Sequence, residues 1–490
     1  MIDLRGKRVL VMGLGVHGGG LGVALWLLRQ GAALTVTDLA SPEALADPLA
    51  MLHAAAAQAG VAVACTLGEH RAEDFTTHDL VVANPAVRPD SPWLALARAA
   101  GVPVETEMTL FFRACPGPIL GVTGTKGKTT TALLLGAMLR ERFPDTVVAG
   151  NMRVSALAAL DRIGATTPVV LELSSFQLER LGAAGLSPRY ALITNLSPDH
   201  LNWHGSMEAY AAAKRQIYWH QSAAGVVALN GADDASVAYF PPPAHGGRLI
   251  RVCAGPEWSR AACRYPPPPA PPAATVMLRD ERVIWDDPSG AFGPPSPPGG
   301  EPLFSRDEVR LPGAHNLANA MMAAALARGF GVDAGSLRAA LRGSGVVEHR
   351  LELVRELDGV RYVNDTTATN PAAALAALET VPPPVVLIAG GADKNLEFTA
   401  LGAAIARRVK ALVLLEGNAT PRLLEAVSAA APGPPLISGP YSDLAAALRT
   451  ARALAAPGDT VLLSPGCASF GMFRNEFHRG EEFRRLVGAL

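Results

Sequence analysis

A glycine-rich run about a quarter of the way along the chain carries the clearest chemical signal. Residues 121–130 read Gly-Val-Thr-Gly-Thr-Lys-Gly-Lys-Thr-Thr. Small residues let backbone N–H groups close around phosphate oxygens, and the N-terminus of a following helix adds partial positive charge. Lys128 would then reach the β- and γ-phosphates of a nucleotide, and the Thr129 hydroxyl would hold Mg²⁺. The strict P-loop pattern has glycine where this chain has Val122. The alternative is a turn with a structural role alone.

A second glycine-rich run lies close to the N-terminus. Gly13, Gly15 and Gly18 follow a short apolar segment, His17 precedes the last of them, and Asp38 closes the next apolar segment. This spacing fits a nucleotide-binding strand–turn–helix unit in which the acidic residue faces a ribose. The pattern predicts a bound phosphate and ribose without specifying a nicotinamide cofactor. A role in tight packing alone is the alternative.

Two further residues could hold a divalent cation. Glu172 and His200 lie at or just beyond the ends of predicted strands, at the edge where a parallel sheet binds ligands. Carboxylates prefer hard cations, and a neutral imidazole nitrogen can complete the coordination shell. The alternatives are a surface or helix-capping carboxylate and a histidine bonded to the backbone of a turn. Lys214 falls on a predicted helix, where a solvated side chain is the simplest interpretation.

Alternating strands and helices must position these residues. A strand at 8–12, a glycine turn, a helix at 21–30 and a strand at 34–37 form one βαβ unit, and another strand follows at 80–83. A second unit begins at residue 118 and includes a helix at 129–142 and strands at 169–173 and 190–194. An Ala-rich helix runs from after residue 315 to about 329, and the remaining predicted strands are 361–364, 385–389, 411–415 and 460–464. The pattern predicts an α/β protein with parallel sheets.

The chain divides into three predicted domains. Residues 1–106 form a Rossmann-like domain, residues 107–346 a central domain with a P-loop, a parallel sheet and a small extra sheet, and residues 347–490 a second Rossmann-like domain. Proline clusters between about 241 and 302 exclude helices and central strands at those positions. We expect short strands separated by proline-rich surface loops there, and a disordered insert is the alternative.

Composition limits the classes of protein to which the chain can belong. Its 490 residues exceed a single hydrophobic core, and 49% of them are hydrophobic. A formal net charge of −1 disfavours nucleic acid as a partner. Five cysteines without a C-x-x-C pair indicate a reducing compartment and not a disulfide framework or zinc site. Neither a signal peptide nor a membrane span is apparent, so we expect a cytoplasmic monomer without membrane contact.

Ordered segments along the chain resemble the Mur ligase family. The run at 121–130 is similar to that family's form of the P-loop. The other matching segments are 171–179, 194–200, 210–214, 311–319, 349–350, 364–370, 390–394 and 463–469. The resemblance covers nearly the whole chain apart from the proline-rich stretch, and the late segments favour the glutamate-adding members.

The resemblance implies an ATP-dependent ligase of peptidoglycan precursor synthesis. A carboxylate is a poor electrophile, so ATP would first convert it to an acyl phosphate, which an amine then attacks. The implied substrates are UDP-N-acetylmuramoyl-L-alanine, D-glutamate and ATP, and the implied cofactor is Mg²⁺, with two ions. The first domain would bind the UDP sugar, the second ATP, and the third the amino acid. An L-glutamate-using relative stays an alternative.

The resemblance also implies roles for individual residues. Lys128, Glu172, His200 and Lys214 would be catalytic, and Lys214 would be carbamylated by CO₂ and would ligate metal together with Thr129, Glu172 and His200. The implied ATP-binding residues are Gly124, Thr125, Lys126, Gly127, Lys128, Thr129, Thr130, Asn316, Asn319, Arg350 and Asp365. The implied UDP-sugar residues are Gly13, Gly15, His17, Gly18, Asp38, Asn84 and Asn151. The implied glutamate-binding residues are Thr369, Lys394 and Ser469.

The chain departs from the expected family pattern at four places. Met-Arg follows Asn151 where a glycine is usual, Thr367 replaces a lysine, Gly471 replaces an aspartate, and Glu476 replaces an aromatic residue. A glutamate facing a substrate carboxylate would be repelled. We therefore predict that Glu476 points away, paired with an arginine at 474 or 479, and that a phenylalanine at 473 or 477 fills the apolar place.

Three other functions compete with this interpretation. Another Mur ligase step or a folylpolyglutamate synthase stays within the class. A nicotinamide-dependent oxidoreductase would use the N-terminal glycine run, but it leaves the P-loop, Glu172 and His200 unexplained. A non-catalytic nucleotide-binding regulator would not need Lys128, Glu172, His200 and Lys214, so their presence argues against it.

Overall fold

The computed structural model describes residues 3–15, 19–151, 155–243, 246–253, 273–311, 313–343, 349–393, 396–430, 435–469, 471–473 and 475–490. The chain forms two compact units, of which the first spans Met1–Arg310 with Ala314–Ser344 and the second spans Leu311–Gly313 with Gly345–Leu490. Within the described ranges the first unit contains two β-sheets and the second contains one. The α/β fold predicted from the sequence is confirmed.

The N-terminal sheet is a parallel, doubly wound sheet. Its described strands are β1 (Arg8–Met12), β2 (Ala33–Asp38), β3 (Ala64–Leu67), β4 (Leu80–Ala83) and β5 (Val104–Thr106), in the order β3-β2-β1-β4-β5. The helices around it are α1 (Gly19–Arg29), α2 (Ala46–Ala59), α3 (Ala72–Thr77), α4 (Pro92–Ala99) and α5 (Glu107–Ala114). The strand order reverses between β1 and β4, and ligands of such sheets bind beyond the carboxyl ends of the strands at that point.

The central sheet is longer and mixed. Its described strands are β6 (Ile119–Thr123), β7 (Val147–Gly150), β8 (Val169–Glu172), β9 (Tyr190–Ile193), β10 (Val226–Asn230), β11 (Arg248–Cys253), β12 (Ala273–Arg279), β13 (Arg282–Asp286) and β14 (Glu301–Ser305), in the order β14-β13-β12-β11-β10-β9-β6-β8-β7. Its helices are α6 (Lys128–Arg140), α7 (Ser175–Ala183), α8 (Leu201–His204), α9 (Met207–Trp219), α10 (Asp234–Tyr239), α11 (Ala314–Phe330) and α12 (Ala334–Gly343), with 3₁₀ turns at Ala156–Arg162 and Arg306–Glu308. β6 is an interior strand between β9 and β8, so the glycine-rich run that follows it emerges between two neighbouring parallel strands.

The proline-rich stretch contributes strands to this sheet. β11 pairs in parallel with β10 and β12, and β13 is antiparallel to both β12 and β14. The predicted strands are therefore present, and they continue the central sheet instead of forming a separate one. Pro302 lies in β14 at the sheet edge, where a missing N–H is tolerated. The proline run at 266–272 lies outside the described residues.

The second unit is built on one sheet with helices packed on it. Its described strands are β15 (Glu352–Leu357), β16 (Val360–Asn364), β17 (Val385–Ala389), β18 (Val409–Leu415), β19 (Leu436–Tyr441) and β20 (Thr460–Leu463), in the order β15-β16-β20-β17-β18-β19. Its helices are α13 (Pro371–Thr380), α14 (Thr399–Arg408), α15 (Thr420–Ser428), α16 (Leu444–Leu454) and α17 (Glu476–Gly488). Separate apolar cores lie on the two faces of the sheet, as alternate side chains of a buried strand require.

The described cysteines differ in their bonding state. Cys65, Cys115 and Cys467 are free, whereas Cys253 at the end of β11 is disulfide-bonded. The sequence analysis predicted no disulfide framework, and it did not anticipate the bond at Cys253. Among the described helices, each is too short or too polar to cross a lipid bilayer.

Candidate functional site

The glycine-rich run joins β6 to α6 through a loop that only glycine can form at two positions. Gly124 has φ 145°, and a Cβ added there would lie 1.9 Å from the Thr194 hydroxyl oxygen. Gly127 has φ 77° and precedes α6, and its added Cβ would lie 2.3 Å from Asn319 Oδ1. Val122 is buried in β6 and pairs with Glu172 and Leu192. The strand therefore continues at the position where the strict pattern has glycine.

The carbonyl groups of this loop are held by donors from the protein. Lys214 Nζ donates to the Gly124 carbonyl at 2.8 Å, and Lys128 Nζ donates to the Thr125 carbonyl at 3.0 Å. The Lys126 carbonyl accepts from the Thr194 hydroxyl at 2.7 Å and from Asn195 Nδ2 at 3.1 Å. In a trans peptide the N–H points opposite to the C=O. The Thr125 and Lys126 N–H groups donate to the Asn195 carbonyl at 3.0 Å and to Asn195 Oδ1 at 2.9 Å. Fixing the Lys126 carbonyl turns the Gly127 N–H toward the other side of the loop, at the start of α6, as a phosphate cradle requires.

Thr129 in the first turn of α6 contacts Glu172 at the end of β8. The Thr129 hydroxyl donates to Glu172 Oε2 at 2.7 Å, and Asn151 Nδ2 donates to Glu172 Oε1 at 3.2 Å. Glu172 is 3% exposed and forms no ion pair within the described part of the chain. A buried carboxylate without a counter-charge is costly unless it is neutralised. The Thr129–Glu172 pair therefore has the donor chemistry and the charge that suit a hard divalent cation.

Lys214 lies on α9 and is 1% exposed, which excludes the interpretation as a solvated lysine. Its Nζ lies 4.5 Å from the centre of the Tyr210 ring in addition to its bond to the Gly124 carbonyl. Burial, and next the charge of Lys128, lowers the pKa of Lys214 well below the usual value for lysine. The environment therefore favours a neutral amine.

His200 begins the turn before α8 with φ 51°. Burial lowers the pKa of its imidazole, the charges of three lysines act in the same direction, and Asp199 opposes them. A neutral ring with a free lone pair is the form that binds metal. Its ring packs 5.0 Å from that of Phe176 and 6.3 Å from that of Tyr210, centre to centre.

Asn316 and Asn319, which the resemblance assigned to ATP, lie on one face of α11. Asn319 Nδ2 donates to Asn316 Oδ1 at 3.3 Å, and Asn319 Oδ1 accepts from the Thr131 hydroxyl of α6 at 3.3 Å. Both amides are buried. They hold α11 against the helix that follows the glycine loop.

The N-terminal glycine turn is shaped by Asp38 and Asn84. Asp38 Oδ2 accepts from the Gly15 N–H at 3.0 Å, and Oδ1 accepts from the Ala40 N–H at 2.9 Å. Asn84 Nδ2 donates to the Gly13 carbonyl at 3.3 Å. Four residues predicted for the UDP sugar thus meet at the switch point between β1 and β4. Asn151 instead contacts Glu172, and residues 17 and 18 lie outside the described part of the chain.

Asp365 and Arg350 are close together in the second unit. The Asp365 carboxylate accepts from the Ser464 hydroxyl at 2.7 Å and from the Leu351 N–H at 3.2 Å. Burial raises the pKa of Asp365 to about 6, and the positive charge of Arg350 acts against that rise. The two residues that the resemblance assigned to ATP therefore interact electrostatically within this unit.

Two of the three residues predicted for glutamate binding are described. The Ser469 hydroxyl is buried and has no hydrogen-bond partner in the described part of the chain. Ala392 and Ala468 pair backbone to backbone, so the loop that leads to residue 394 runs beside the loop that carries Ser469. Thr369 lies in the turn before α13, and its N–H donates to the Thr367 carbonyl. Lys394 itself lies outside the described residues.

The region of Glu476 is organised around Thr366. Glu476 opens α17, and its backbone carbonyl accepts from the Thr366 hydroxyl at 2.8 Å. Arg479 is buried and donates to the hydroxyl and the carbonyl of Thr366 at 2.9 Å each. The Phe477 ring lies 5.7 Å from that of His349. Arg474 lies outside the described residues, so the pairing of Glu476 with an arginine stays a prediction.

Several residues of the central site carried no role in the sequence analysis. Thr194 and Asn195 bind the glycine loop, and the Tyr210 hydroxyl lies 3.3 Å from the Thr125 hydroxyl. Thr194 and Asn195 directly follow β9, and polar residues after an interior parallel strand are a usable signal for such a role. Tyr210 lies on a helix and offers no comparable signal. The described residues contain no cluster of three or more His, Cys, Asp or Glu side chains able to hold a metal by themselves.

Models of known protein families match most of the chain. Residues 7–106 match the Mur ligase MurD-like, N-terminal domain, residues 122–243 match the Mur ligase middle domain, and residues 349–467 match the Mur ligase, glutamate ligase domain. The three models match the chain in the order in which its three sheets occur.

Similar proteins extend this match over the whole chain. A UDP-N-acetylmuramoylalanine–D-glutamate ligase of Roseiflexus sp. (strain RS-1) is 55% identical and covers 99% of both chains. A protein of the same name from Symbiobacterium thermophilum is 38% identical over 99% of this chain and 98% of its own. Among solved structures, the UDP-N-acetylmuramate–alanine ligase MurC of Thermotoga maritima has a TM-score of 0.58 at 18% identity, with 99% of each chain covered. At that identity the structural likeness concerns the fold alone.

Proposed function

Because the chain belongs to the Mur ligase family, we propose that it joins D-glutamate to UDP-N-acetylmuramoyl-L-alanine and converts ATP to ADP and phosphate. The 55% identity over 99% of both chains to a ligase named for that reaction carries the proposal. The Thr129–Glu172 hydrogen bond beside the glycine loop, with its buried carboxylate, supports the proposal with a site for a nucleotide and a cation. The proposal includes a role in peptidoglycan precursor synthesis in the cytoplasm.

The proposed reaction has two steps. A carboxylate oxygen of the UDP substrate attacks the γ-phosphorus of ATP, the bond from that phosphorus to ADP breaks, and an acyl phosphate forms. The amine of D-glutamate then attacks the acyl carbon, an amide forms, phosphate leaves, and the nitrogen loses a proton. Negative groups meet in both steps, so positive charge and N–H donors must surround the phosphates. Lys128 and the loop at 124–127 would supply them.

Magnesium fits the residues beside the loop. Thr129 and Glu172 would hold it, and Mg²⁺ usually completes its shell with phosphate oxygens and water instead of a full protein cage. Such a cation supplies charge that neutralises the transferred phosphate. In this chain Asn151 fixes one oxygen of Glu172 and Thr129 fixes the other, which orients the carboxylate before a ligand arrives. His200, with a lowered pKa, would contribute a neutral imidazole.

Lys214 is the candidate for carbamylation. A neutral amine has the lone pair that adds to CO₂, and the resulting carbamate is an anion able to ligate a second Mg²⁺. Burial lowers the pKa of Lys214 and so supports this assignment. A permanent ammonium at this position would repel a cation held by Glu172.

The remaining assignments follow the division of the chain. Residues 1–106 would bind the UDP sugar through Gly13, Gly15, Asp38 and Asn84, whereas the geometry of Asn151 favours a role at Glu172. Residues 107–346 would bind ATP, and residues 347–490 would bind glutamate. Thr369, Lys394 and the unpartnered Ser469 hydroxyl would receive the glutamate carboxylates through charge-assisted hydrogen bonds.

A ligase assay tests the proposal. Purified protein with ATP, Mg²⁺ and UDP-N-acetylmuramoyl-L-alanine should release ADP and phosphate when D-glutamate is added, and the amide product should appear in equal amount. Parallel reactions should contain L-glutamate or lack the UDP substrate. Turnover with L-glutamate and not with D-glutamate would refute the assignment of D-glutamate and would still support the proposed ligase activity. ADP release that is independent of both co-substrates would refute the proposed reaction.

A further inference from the structure

Contacts outside the proposed catalytic residues join the N-terminal sheet to the part of the central sheet that carries His200. Arg180 Nη2 of α7 donates to the Val87 carbonyl, in the loop after β4, at 2.6 Å. The Arg88 guanidinium lies over the Trp203 ring of α8, 4.9 Å from its centre. Trp203 Nε1 donates to Glu179 Oε2 at 3.5 Å. We call Arg88, Arg180 and Trp203 the latch.

On one side the latch holds a loop that also contacts the N-terminal glycine turn. The Val87 N–H donates to the Asn84 carbonyl at 2.9 Å, and the Ala86 N–H donates to Asn84 Oδ1 at 3.1 Å. Asn84 Nδ2 in turn donates to the Gly13 carbonyl. The loop is therefore one hydrogen-bonded turn, and a displacement of Val87 would be transmitted to Asn84 and Gly13.

On the other side the latch packs against the surroundings of His200. The Phe176 ring lies 4.9 Å from the Trp203 ring and 5.0 Å from the His200 ring, centre to centre. Phe176 and Arg180 are separated by four residues on α7, so they share one helix face. Trp203 and His200 thus pack against the same aromatic ring, and the helix that carries this ring, α7, also binds the loop after β4.

We propose that the latch fixes the distance between the UDP-sugar turn and His200, so that the carboxylate of the UDP substrate meets the phosphate bound at the glycine loop. The inference rests on the function proposed above, and it assigns Arg88 and Trp203 as positioning residues. A reaction between two bound groups depends steeply on their alignment, and displacement by about 1 Å can cost roughly 10²-fold in rate. Loosening the latch should therefore slow the reaction more than it weakens the binding of ATP.

Steady-state kinetics of Arg88→Ala, Trp203→Ala and the double variant test the latch. Each single variant should lower kcat by about tenfold and raise the KM for the UDP substrate, while the KM for ATP changes by less than about twofold. The double variant should be little worse than either single variant, because both remove the same contact. Arg88→Lys and Trp203→Phe keep the cation and the aromatic face and should recover most of the activity.

Trp219→Ala provides a matched control. Trp219 is also covered by an arginine, since the Arg215 guanidinium lies 4.5 Å from its ring centre, but that pair lies within α9. This variant should keep the wild-type kcat and both KM values. Thermal unfolding of every variant identifies any that fail to fold, and the exposed Arg88 can be replaced without opening the core.

The outcomes separate the latch from the proposed function. A wild-type protein without turnover would refute the proposed function and the latch with it. Wild-type turnover together with unchanged kinetics in Arg88→Ala and Trp203→Ala would overturn the latch alone. A fall in kcat equal to that of Trp219→Ala, or a failure of the conservative variants to recover activity, would also contradict it.

Discussion

The two glycine-rich turns of this protein share a sequence pattern and differ in how their acidic residue is used. In the N-terminal turn both oxygens of Asp38 accept from backbone N–H groups, those of Gly15 and Ala40. In the central turn both oxygens of Glu172 accept from side chains, those of Thr129 and Asn151. Asp38 therefore shapes its own turn, whereas Glu172 leaves the backbone of the loop to be oriented by other groups.

A glycine pattern in the sequence therefore does not specify which groups hold the backbone of the turn. The central loop is held through its carbonyls by Lys214, Lys128, Thr194 and Asn195, and its Thr125 and Lys126 N–H groups donate to the uncharged oxygens of Asn195. The N-terminal turn instead has an N–H bound to its carboxylate. The central arrangement suits a nucleoside triphosphate bound together with a cation. The N-terminal arrangement suits a ligand that is recognised by the shape of the turn and requires few charged groups of the protein. Four substitutions test this difference between the two turns.

Lys128→Ala should have the largest effect. It removes the charge beside the transferred phosphate, and we expect ADP release to fall by on the order of 10³-fold or more. Thermal unfolding should change little, because the side chain is only partly buried. A coupled assay of ADP release measures the change, with the exposed Lys7→Ala as the control. Near-normal turnover in the folded variant would refute the assignment of the central loop to ATP binding.

Glu172→Gln should follow. The amide keeps the shape and an acceptor for Thr129 but removes the negative charge, so activity should fall by roughly 10²-fold and the dependence on Mg²⁺ should shift to higher concentration. Titration of activity with Mg²⁺ measures both effects, with the exposed Glu141→Gln as the control. An unchanged Mg²⁺ dependence would mean that Glu172 resembles Asp38 and only shapes the protein.

Lys214→Ala should lower activity by roughly 10²-fold if the residue acts as a carbamate. Acetate or formate should restore part of the activity, because each supplies a carboxylate where the tethered anion is lost. Chloride at equal ionic strength is the control. Full activity without an added acid would refute the assignment, whereas loss without rescue would leave Lys214 as a support for the Gly124 carbonyl.

Asp38→Asn should have the smallest effect of the four. It replaces two charge-assisted bonds with at most one neutral acceptor, so the turn should lose about 1–2 kcal/mol of stability and the KM for the UDP substrate should rise about tenfold. The KM for ATP should stay within the error of the assay. The exposed Asp47→Asn in the same domain is the control. A loss of kcat as large as that of Glu172→Gln would contradict the difference drawn between the two carboxylates.

Local patterns in the sequence determined the positions of the strands and turns and the types of residue at the ends of the strands. The predicted strands at 8–12, 80–83 and 385–389 match the structure, and the helix predicted at 129–142 begins and ends within two residues of α6. Apolar runs, glycine and proline act over a few residues, so their effects can be read from neighbouring positions. The ordered motifs also sufficed to identify the family, since the three family models match the same regions.

Only the tertiary structure decided which of these residues meet. Lys214 reaches a carbonyl 90 residues away, and Asn319 reaches a threonine 188 residues away. The burial that lowers the pKa of Lys214 comes from elements packed around α9, not from its neighbours in sequence. The strands of the proline-rich stretch likewise joined the central sheet because β11 offers an edge to β12. The spacing of residue types along the chain determines the periodicity of a helix or strand and its capping residues. The partners and the solvent exposure of a side chain instead depend on contacts with distant parts of the chain.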